Sequence, residues 1–214
     1  MTRPSRNIDQ VLIATARELL PETGCRGFSI RQLTDRARVN LGMFHYHFKT
    51  REQFLSHVLH EVYQEMFATL TFQAHADRPP LENLRAALTV LGHFARDNRQ
   101  LMRRLMADAM SDDTIALDFF QRHFPLHLSV LAELVVSAQE AKLLQQLPPL
   151  QAITFLAGAI AMPNILATIF TEQGNLPTQM IDQLEKDVLS DAAITQRVNI
   201  AIRGMSIESE KSHA

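Results

Sequence analysis

An all-α fold is predicted by three features of the sequence. Leu, Ala and Met recur at helical spacing in long runs, only seven glycines occur in 214 residues, and no stretch alternates apolar with polar residues as a half-buried strand would. With 46% hydrophobic residues the chain can fill one large core or two smaller ones.

The helices near the N-terminus have legible ends. Over residues 8–22, Ile8, Leu12, Ala16 and Leu19 share one face, and Gly24 follows as a left-handed cap. A second helix opens at Ser29 and ends near Arg38. Ser29 and Gln32 have the spacing of a capping box, in which the hydroxyl accepts from the amide three residues on and the glutamine reaches back. Asn40 is the N-cap of a third helix, with Val39 and Phe44 placed as a hydrophobic staple. Thr50 and Gln53 repeat the capping box for a fourth helix that runs past Phe67. Helices two and three are thus about three residues apart, the spacing of a helix-turn-helix.

The stretch "NLGMFHYHFKTREQF" (40–54) then acquires a physical sense. Ile30, Leu33, Ala37, Val39, Phe44, Phe48, Phe54 and Leu55 supply a small core, with Phe44 and Phe48 four apart on the inward face of the third helix. That leaves Asn40, Gly42, Met43, His45, Tyr46 and His47 outside, a polar surface able to enter a major groove. Gly42 costs the helix about 1 kcal/mol relative to alanine, a loss that makes sense where a side chain would collide with DNA. Tyr46, His47, Lys49 and Thr50 offer phosphate donors, as do the amides that open the fourth helix.

Charge divides along the same line. Residues 1–60 hold nine Lys/Arg against five Asp/Glu, a balance of +4, which leaves −6 for the rest of a chain whose total is −2. A basic module joined to an acidic, apolar one fits a nucleic-acid binder with a separate partner-binding body. Arg3 and Arg6 are candidates for a minor-groove arm. The lone Cys25 has no disulfide mate in the chain and is read as a structural thiol. With no apolar leader in "MTRPSRN", a cytoplasmic location is expected.

Beyond "DRPP" (77–80) further helices are predicted near 81–97, 99–110, 114–140, 150–171 and 178–205, the last broken near Ser190. Pro125 and Pro163 should kink or divide theirs. The run "LQAITFLAGAIAMPNILATIF" (150–170) lies in a stretch without charge between Lys142 and Glu172, near the roughly 20 residues that span a bilayer. Gln151, Pro163 and Asn164 within it, and the absence of a flanking basic cluster, favour burial against protein instead, so no membrane partner is expected. Glycine loops for phosphates or dinucleotides, a nucleophile elbow and paired carboxylates are all missing, which argues against an enzyme and leaves no catalytic residue or cofactor to name. His57 with His60, and His123 with His127, have helical chelating spacing but lack further ligands, so no metal site is expected. A helical protein-interaction module is the rival reading, and it gives Gly42 and the repeated capping patterns no purpose.

Residues 8–60 resemble the DNA-binding domain of the TetR (tetracycline repressor) family of bacterial regulators. The resemblance rests on "FSIRQLTDRARVNLGMFHYHFKTREQF" (28–54), with a small hydroxyl residue opening the second helix, Gly42, an aromatic at 46, His-Phe at 47–48 and a capped fourth helix. It implies a helix-turn-helix domain over 1–49 and a ligand-binding and dimerisation domain over 50–214. It implies phosphate contacts from Tyr46, His47 and Lys49 and base reading by residues around 40–45. The DNA-facing set is then Ser29, Arg31, Gln32, Asn40, Gly42, Met43, His45, Tyr46, His47, Lys49 and Thr50. Two positions depart from the family pattern, His45 where tyrosine is common and Met43 where Ser or Thr is common, so Met43 offers a thymine methyl only an apolar contact.

The same resemblance implies a homodimeric repressor on a palindromic double-stranded operator, released by a small apolar effector, the alternatives being an activator or a regulator without a small-molecule ligand. Phe67, His93, Phe94, Met102, Met106, Phe120, His123, Phe124 and His127 come from helices that the family arranges around the effector; a filled core is the equal alternative. Leu156, Ile160, Ile165, Ile169, Ile194, Val198 and Ile202 lie on the two helices that pair across the family's two-fold axis. Gly158, Ala159 and Ala161 would let those helices approach closely.

Overall fold

The computed structural model describes residues 7–172 and 176–207; Arg3 and Arg6 lie outside them. The described residues form α1 (Ile8–Gly27), α2 (Ile30–Ala37), α3 (Leu41–His47), α4 (Arg51–Ala74), α5 (Pro80–Asp97), α6 (Arg99–Met110), α7 (Thr114–Glu140), α8 (Pro149–Glu172), α9 (Thr178–Leu184) and α10 (Asp191–Met205), with a π-helical turn at Glu185–Leu189. Among them no strand forms beyond an isolated bridge between Leu144 and Ser206. The fold is all-α, as the sequence predicts. Contacts divide the chain into two compact units, Met1–Glu65 with Gln100–Phe124, and Met66–Arg99 with Pro125–Ala214.

In the first unit Leu12, Ala16, Leu19 and Leu20 of α1 meet Leu33, Phe44, Phe54, Leu55, Val58 and Leu59 in a buried core. Arg36 on α2 pairs with Glu22 at 3.0 Å and Glu18 at 3.6 Å, while Arg17 reaches Glu65 at 2.7 Å on α4. Such exposed pairs contribute at most about 1 kcal/mol each, so the core decides.

Three local expectations are corrected here. α1 does not stop at residue 22: Gly24 takes φ +68°, yet with ψ −176° it kinks the helix, and the chain adds a further turn to Gly27. That backbone region is essentially closed to residues with a Cβ. Ser29 is the N-cap of α2 by backbone conformation, but its hydroxyl makes no capping bond. The entry is held from outside instead, by the Arg51 guanidinium, which donates to the carbonyls of Cys25 and Phe28. Phe48 is not on the third helix, because it adopts an extended conformation just past the last turn of α3. It still joins the core, 4.6 Å from the Phe54 ring and 5.8 Å from Phe44.

The second unit is built where α5, α8 and α10 pack on one another. Gly92 on α5 is the close-approach point, since a Cβ there would lie 2.6 Å from Ile194 Cγ2 and 3.1 Å from Ile160 Cγ2. Gly158, expected to ease helix approach across a two-fold axis, faces open space within the subunit. Asn164, fully buried on α8, donates to the Ile160 carbonyl at 2.9 Å and accepts from Arg197 of α10 at 2.9 Å, and Arg197 also donates to the Val188 carbonyl at 2.6 Å. Burial lowers the Arg197 pKa from its ordinary value. Ser190 caps α10 by accepting from the Ala193 amide at 3.1 Å, which is the break expected near that residue. Neither Pro125 nor Pro163 divides its helix.

The proposed pairing residues need correction. Leu156, Ile160, Ile194, Val198 and Ile202 are at most 3% exposed and Ile165 is buried with them. These side chains are used inside the subunit, where α8 packs on α5 and α10, so they have no surface left for a second copy. Ile169 alone of the seven is exposed. α8 instead presents outward Phe155, Leu166, Ile169 and Phe170, with Leu150 at its start. Pro149–Thr171 is apolar and long enough to cross a membrane, with mean hydropathy 1.9, and its buried face meets protein.

Candidate nucleic-acid interface

The interface is assembled on α3 by a cap, a core anchor and an exposed face. Asn40, in extended conformation, accepts from the Gly42 amide at 2.7 Å and so starts the helix. Arg38 in the preceding turn takes φ 54°, ψ 40°, and its amide closes α2 on the Asp35 and Thr34 carbonyls. Phe44 is completely buried and meets Phe54 edge-on at 5.2 Å. With this ring held, His45 and Tyr46 beside it are turned outward.

Asn40, Gly42 and His45 are exposed, Tyr46 is 75% exposed, and Met43 and His47 are half-buried. A Cβ at Gly42 would meet only the Asn40 side-chain oxygen, at 3.3 Å, so the surface above that residue is otherwise open. Tyr46 and His47 contact edge-to-face at 5.2 Å. His47 Nε2 is enclosed without a hydrogen-bond partner, so as placed that atom does not reach a phosphate. Lys49 and Thr50 are exposed beyond the helix end. Thr50 Oγ1 accepts from the Gln53 amide at 3.2 Å, the predicted cap of α4, and keeps its own proton to donate. The start of α4 favours negative charge: its backbone amide first, and Arg51 with it, hold the Glu52 carboxyl below the usual range.

On α2, Ser29 is half-buried while Arg31 and Gln32 are exposed, and Arg31 lies 4.0 Å from Asp35 one turn on. Arg38 was not singled out from the sequence. It is exposed in the turn between the two helices, without a side-chain partner among the described residues. A basic residue inside a three-residue turn was the available signal.

The expected effector residues fall in both units: Met102, Met106, Phe120, His123 and Phe124 in the first, Phe67, His93, Phe94 and His127 in the second. His123 and Met102 are buried, Phe124 is exposed and the others are half-buried. A cleft of about 230 Å³ in the second unit involves none of them; Ala74, His75, Arg78, Asn83, Val130 and Glu133 are among its walls. Among the described residues no three His, Cys, Asp or Glu side chains converge as a metal site. His60 faces His123 across α4 and α7, and His57 meets Glu61 at 3.2 Å. Cys25 is buried, and burial, with Asp113 and Asp108 adding to it, pushes its thiol up to about 12. A thiol held so far from ionisation is unreactive at neutral pH, as a structural role requires.

The basic first 60 residues of this all-helical chain present the second helix of a helix-turn-helix apolar side in and polar side out, the arrangement of a DNA-reading head. Residues 12–58 match the model of the family described as bacterial regulatory proteins, tetR family, a match confined to the N-terminal helices. No curated protein matches it in sequence. Among solved structures it resembles a bacterial regulatory protein in the tetR family from Rhodococcus RHA1, with TM-score 0.70 at 17% identity, over 94% of this chain and 98% of that one. It also resembles the Bacillus subtilis transcriptional regulator FadR in complex with stearoyl-CoA, with TM-score 0.70 at 14% identity, over 92% and 98% of the two chains. The ketosteroid transcriptional regulator KstR2 of Mycobacterium tuberculosis gives TM-score 0.67 at 14% identity, over 97% and 98%. At such identities these likenesses concern the fold.

Proposed function

We propose that this protein is a cytoplasmic, non-catalytic, dimeric repressor that binds a palindromic operator through residues 1–49 and the adjoining Thr50 and is released by an apolar small molecule bound in the rest of 50–214. The observation that carries the DNA-binding half is the polarity of α3: Phe44 is wholly buried while Asn40, Gly42, His45 and Tyr46 look outward. Asn40 and His45 read base edges; Tyr46, Lys49, Thr50 and Arg38 hold phosphates.

The dimer is supported by the outer face of α8. Phe155, Leu166 and Phe170 are 52%, 45% and 52% exposed at helical spacing, a patch that a second copy would cover. A two-fold pair would set two recognition helices roughly 34–36 Å apart, one turn of DNA, which is why the operator should be palindromic. For the effector, the likeness to FadR solved with stearoyl-CoA and to a ketosteroid regulator favours a long acyl or polycyclic ligand. Ligand and operator would then oppose each other reciprocally, with a coupling of about 1–3 kcal/mol.

The test is selection of duplexes from a random-sequence library by the purified full chain at moderate salt. Enrichment of an inverted repeat is the expected result. Retention no better than bulk DNA ends the reading. Acyl-CoA or steroid added to the selected complex should release it, and a lack of release by both classes removes the effector assignment while leaving DNA binding intact.

A further inference from the structure

The last turn of α1 and the end of α6 are joined by a device that the recognition surface itself does not explain. Asp108 Oδ2 accepts from the Cys25 amide at 2.6 Å and lies 3.4 Å from the Arg26 amide. It can do so because residue 24 is glycine: a Cβ there would stand 2.5 Å from the same oxygen, and the φ of +68° would strain any other residue. On the opposite side of this turn the carbonyls of Cys25 and Phe28 accept from Arg51 at the start of α4. One turn of chain thus receives an anion on its amides and a cation on its carbonyls. α2 begins two residues after Phe28, whose ring packs 6.1 Å from Phe54 in the core that seats α3.

Asp108 is equally fixed in α6. Its own carbonyl accepts from the amides of Ser111 and Asp113, both at 3.0 Å, which close the end of that helix. The carboxylate therefore cannot shift without α6, and the turn leading into the helix-turn-helix cannot shift without losing the carboxylate.

We propose that Asp108 is the positioning residue by which α6 holds the helix-turn-helix in its DNA-reading conformation, with Gly24 as the notch that admits it. The proposal rests on the DNA-binding role above. It assigns Asp108 a part in operator affinity although it belongs to neither set of residues that would touch DNA or effector.

The experiment uses the full chain and, as probe, the duplex that the wild type enriches, with a random duplex as the non-specific reference. Asp108→Ala should lower affinity for the enriched duplex at least about tenfold and for the random duplex less than about threefold, while melting stays cooperative. Asp108→Asn keeps an oxygen for the Cys25 amide and should stay within about threefold of wild type, which a charge effect would not allow. Gly24→Ala, which drives a methyl into the carboxylate, should copy the alanine variant. Amide exchange without DNA supplies an independent readout: Cys25 and Arg26 should exchange faster in Asp108→Ala while the middle of α1 does not change. Unchanged specific affinity in Asp108→Ala, equal losses in the Ala and Asn variants, or parallel losses on both duplexes overturns the proposal. If the wild type enriches no duplex, the DNA-binding reading falls, and unchanged exchange in Asp108→Ala would by itself sink the capping role.

Discussion

His60 and His123 face each other across α4 and α7, Nδ1 to Nε2 at 3.0 Å. His123 Nδ1 lies 2.9 Å from the Phe119 carbonyl, which accepts only, so that nitrogen carries the hydrogen and Nε2 is left as an acceptor. His60 must then be the donor. Tyr63 completes the arrangement, its hydroxyl donating to the His123 carbonyl at 2.9 Å and its ring meeting the imidazole at 4.4 Å.

This geometry makes stability depend on pH. Burial holds the His123 pKa below its ordinary value of 6.5, and the neighbouring His60 and Arg122 push the same way, against the Phe119 carbonyl and Asp118. The unfolded chain therefore takes up a proton near the ordinary value while the folded chain resists it. Folding stability is retained above about pH 6.5 and falls as pH drops through that range toward the lower folded pKa. Thermal melts in steps from neutral to mildly acidic buffer should show the decline, and His123→Gln should flatten it. An unchanged slope in that variant assigns the effect to other histidines.

Asn40 combines two roles that substitution can separate. Its side-chain oxygen caps α3 through the Gly42 amide. Asn40→Ala should therefore cost about 1 kcal/mol of stability, whereas Asn40→Asp, an equally good cap, should cost almost none. Both should lose operator binding, the aspartate more, because it sets a carboxylate against phosphates. Melting and binding curves on the two variants check this. A destabilised Asp variant that still bound the operator would contradict it.

Tyr46 and Lys49 should respond differently to salt. Tyr46 is exposed, so Tyr46→Phe leaves stability within about 0.5 kcal/mol, while a lost phosphate hydrogen bond costs about 1 kcal/mol on every sequence alike. Since no charge is removed, the dependence of affinity on salt should keep its slope. Lys49→Ala should instead make that slope shallower by about 1. Titrations at several salt concentrations distinguish the two.

What the sequence could say, and what it could not, follows from how local each cause is. Asn40, Thr50 and Ser190 act on amides two or three residues away, so the helix starts at 41, 51 and 191 were legible. The inward role of Phe44 was equally readable from spacing. The Ser29 cap failed because a residue 22 positions away, Arg51, governs that turn. Asp108 and His60–His123 were invisible for the same reason, since each partner is 60 or more residues distant. Which side of α8 faces inward was not legible because its run is apolar all round, and periodicity cannot divide such a helix into inner and outer sides.

The two sides of α8 give the sharpest experiment, because two adjacent residues should behave in opposite ways. Leu156 is fully buried against the unit's own core, and Phe155 beside it is 52% exposed. Leu156→Glu places a charge where nothing can pair with it, and the cost, of the order of 4 kcal/mol or more, should lower the melting temperature steeply or abolish folding. Phe155→Glu should leave helicity and melting of the subunit intact and act only on association. Light scattering after gel filtration is expected to give a dimer for the wild type and a monomer for Phe155→Glu, with Leu166→Glu alike. Operator affinity should fall with the loss of the second recognition helix, while a single half-site still competes weakly. A Phe155→Glu protein that remained dimeric would move the two-fold contact off this face of α8.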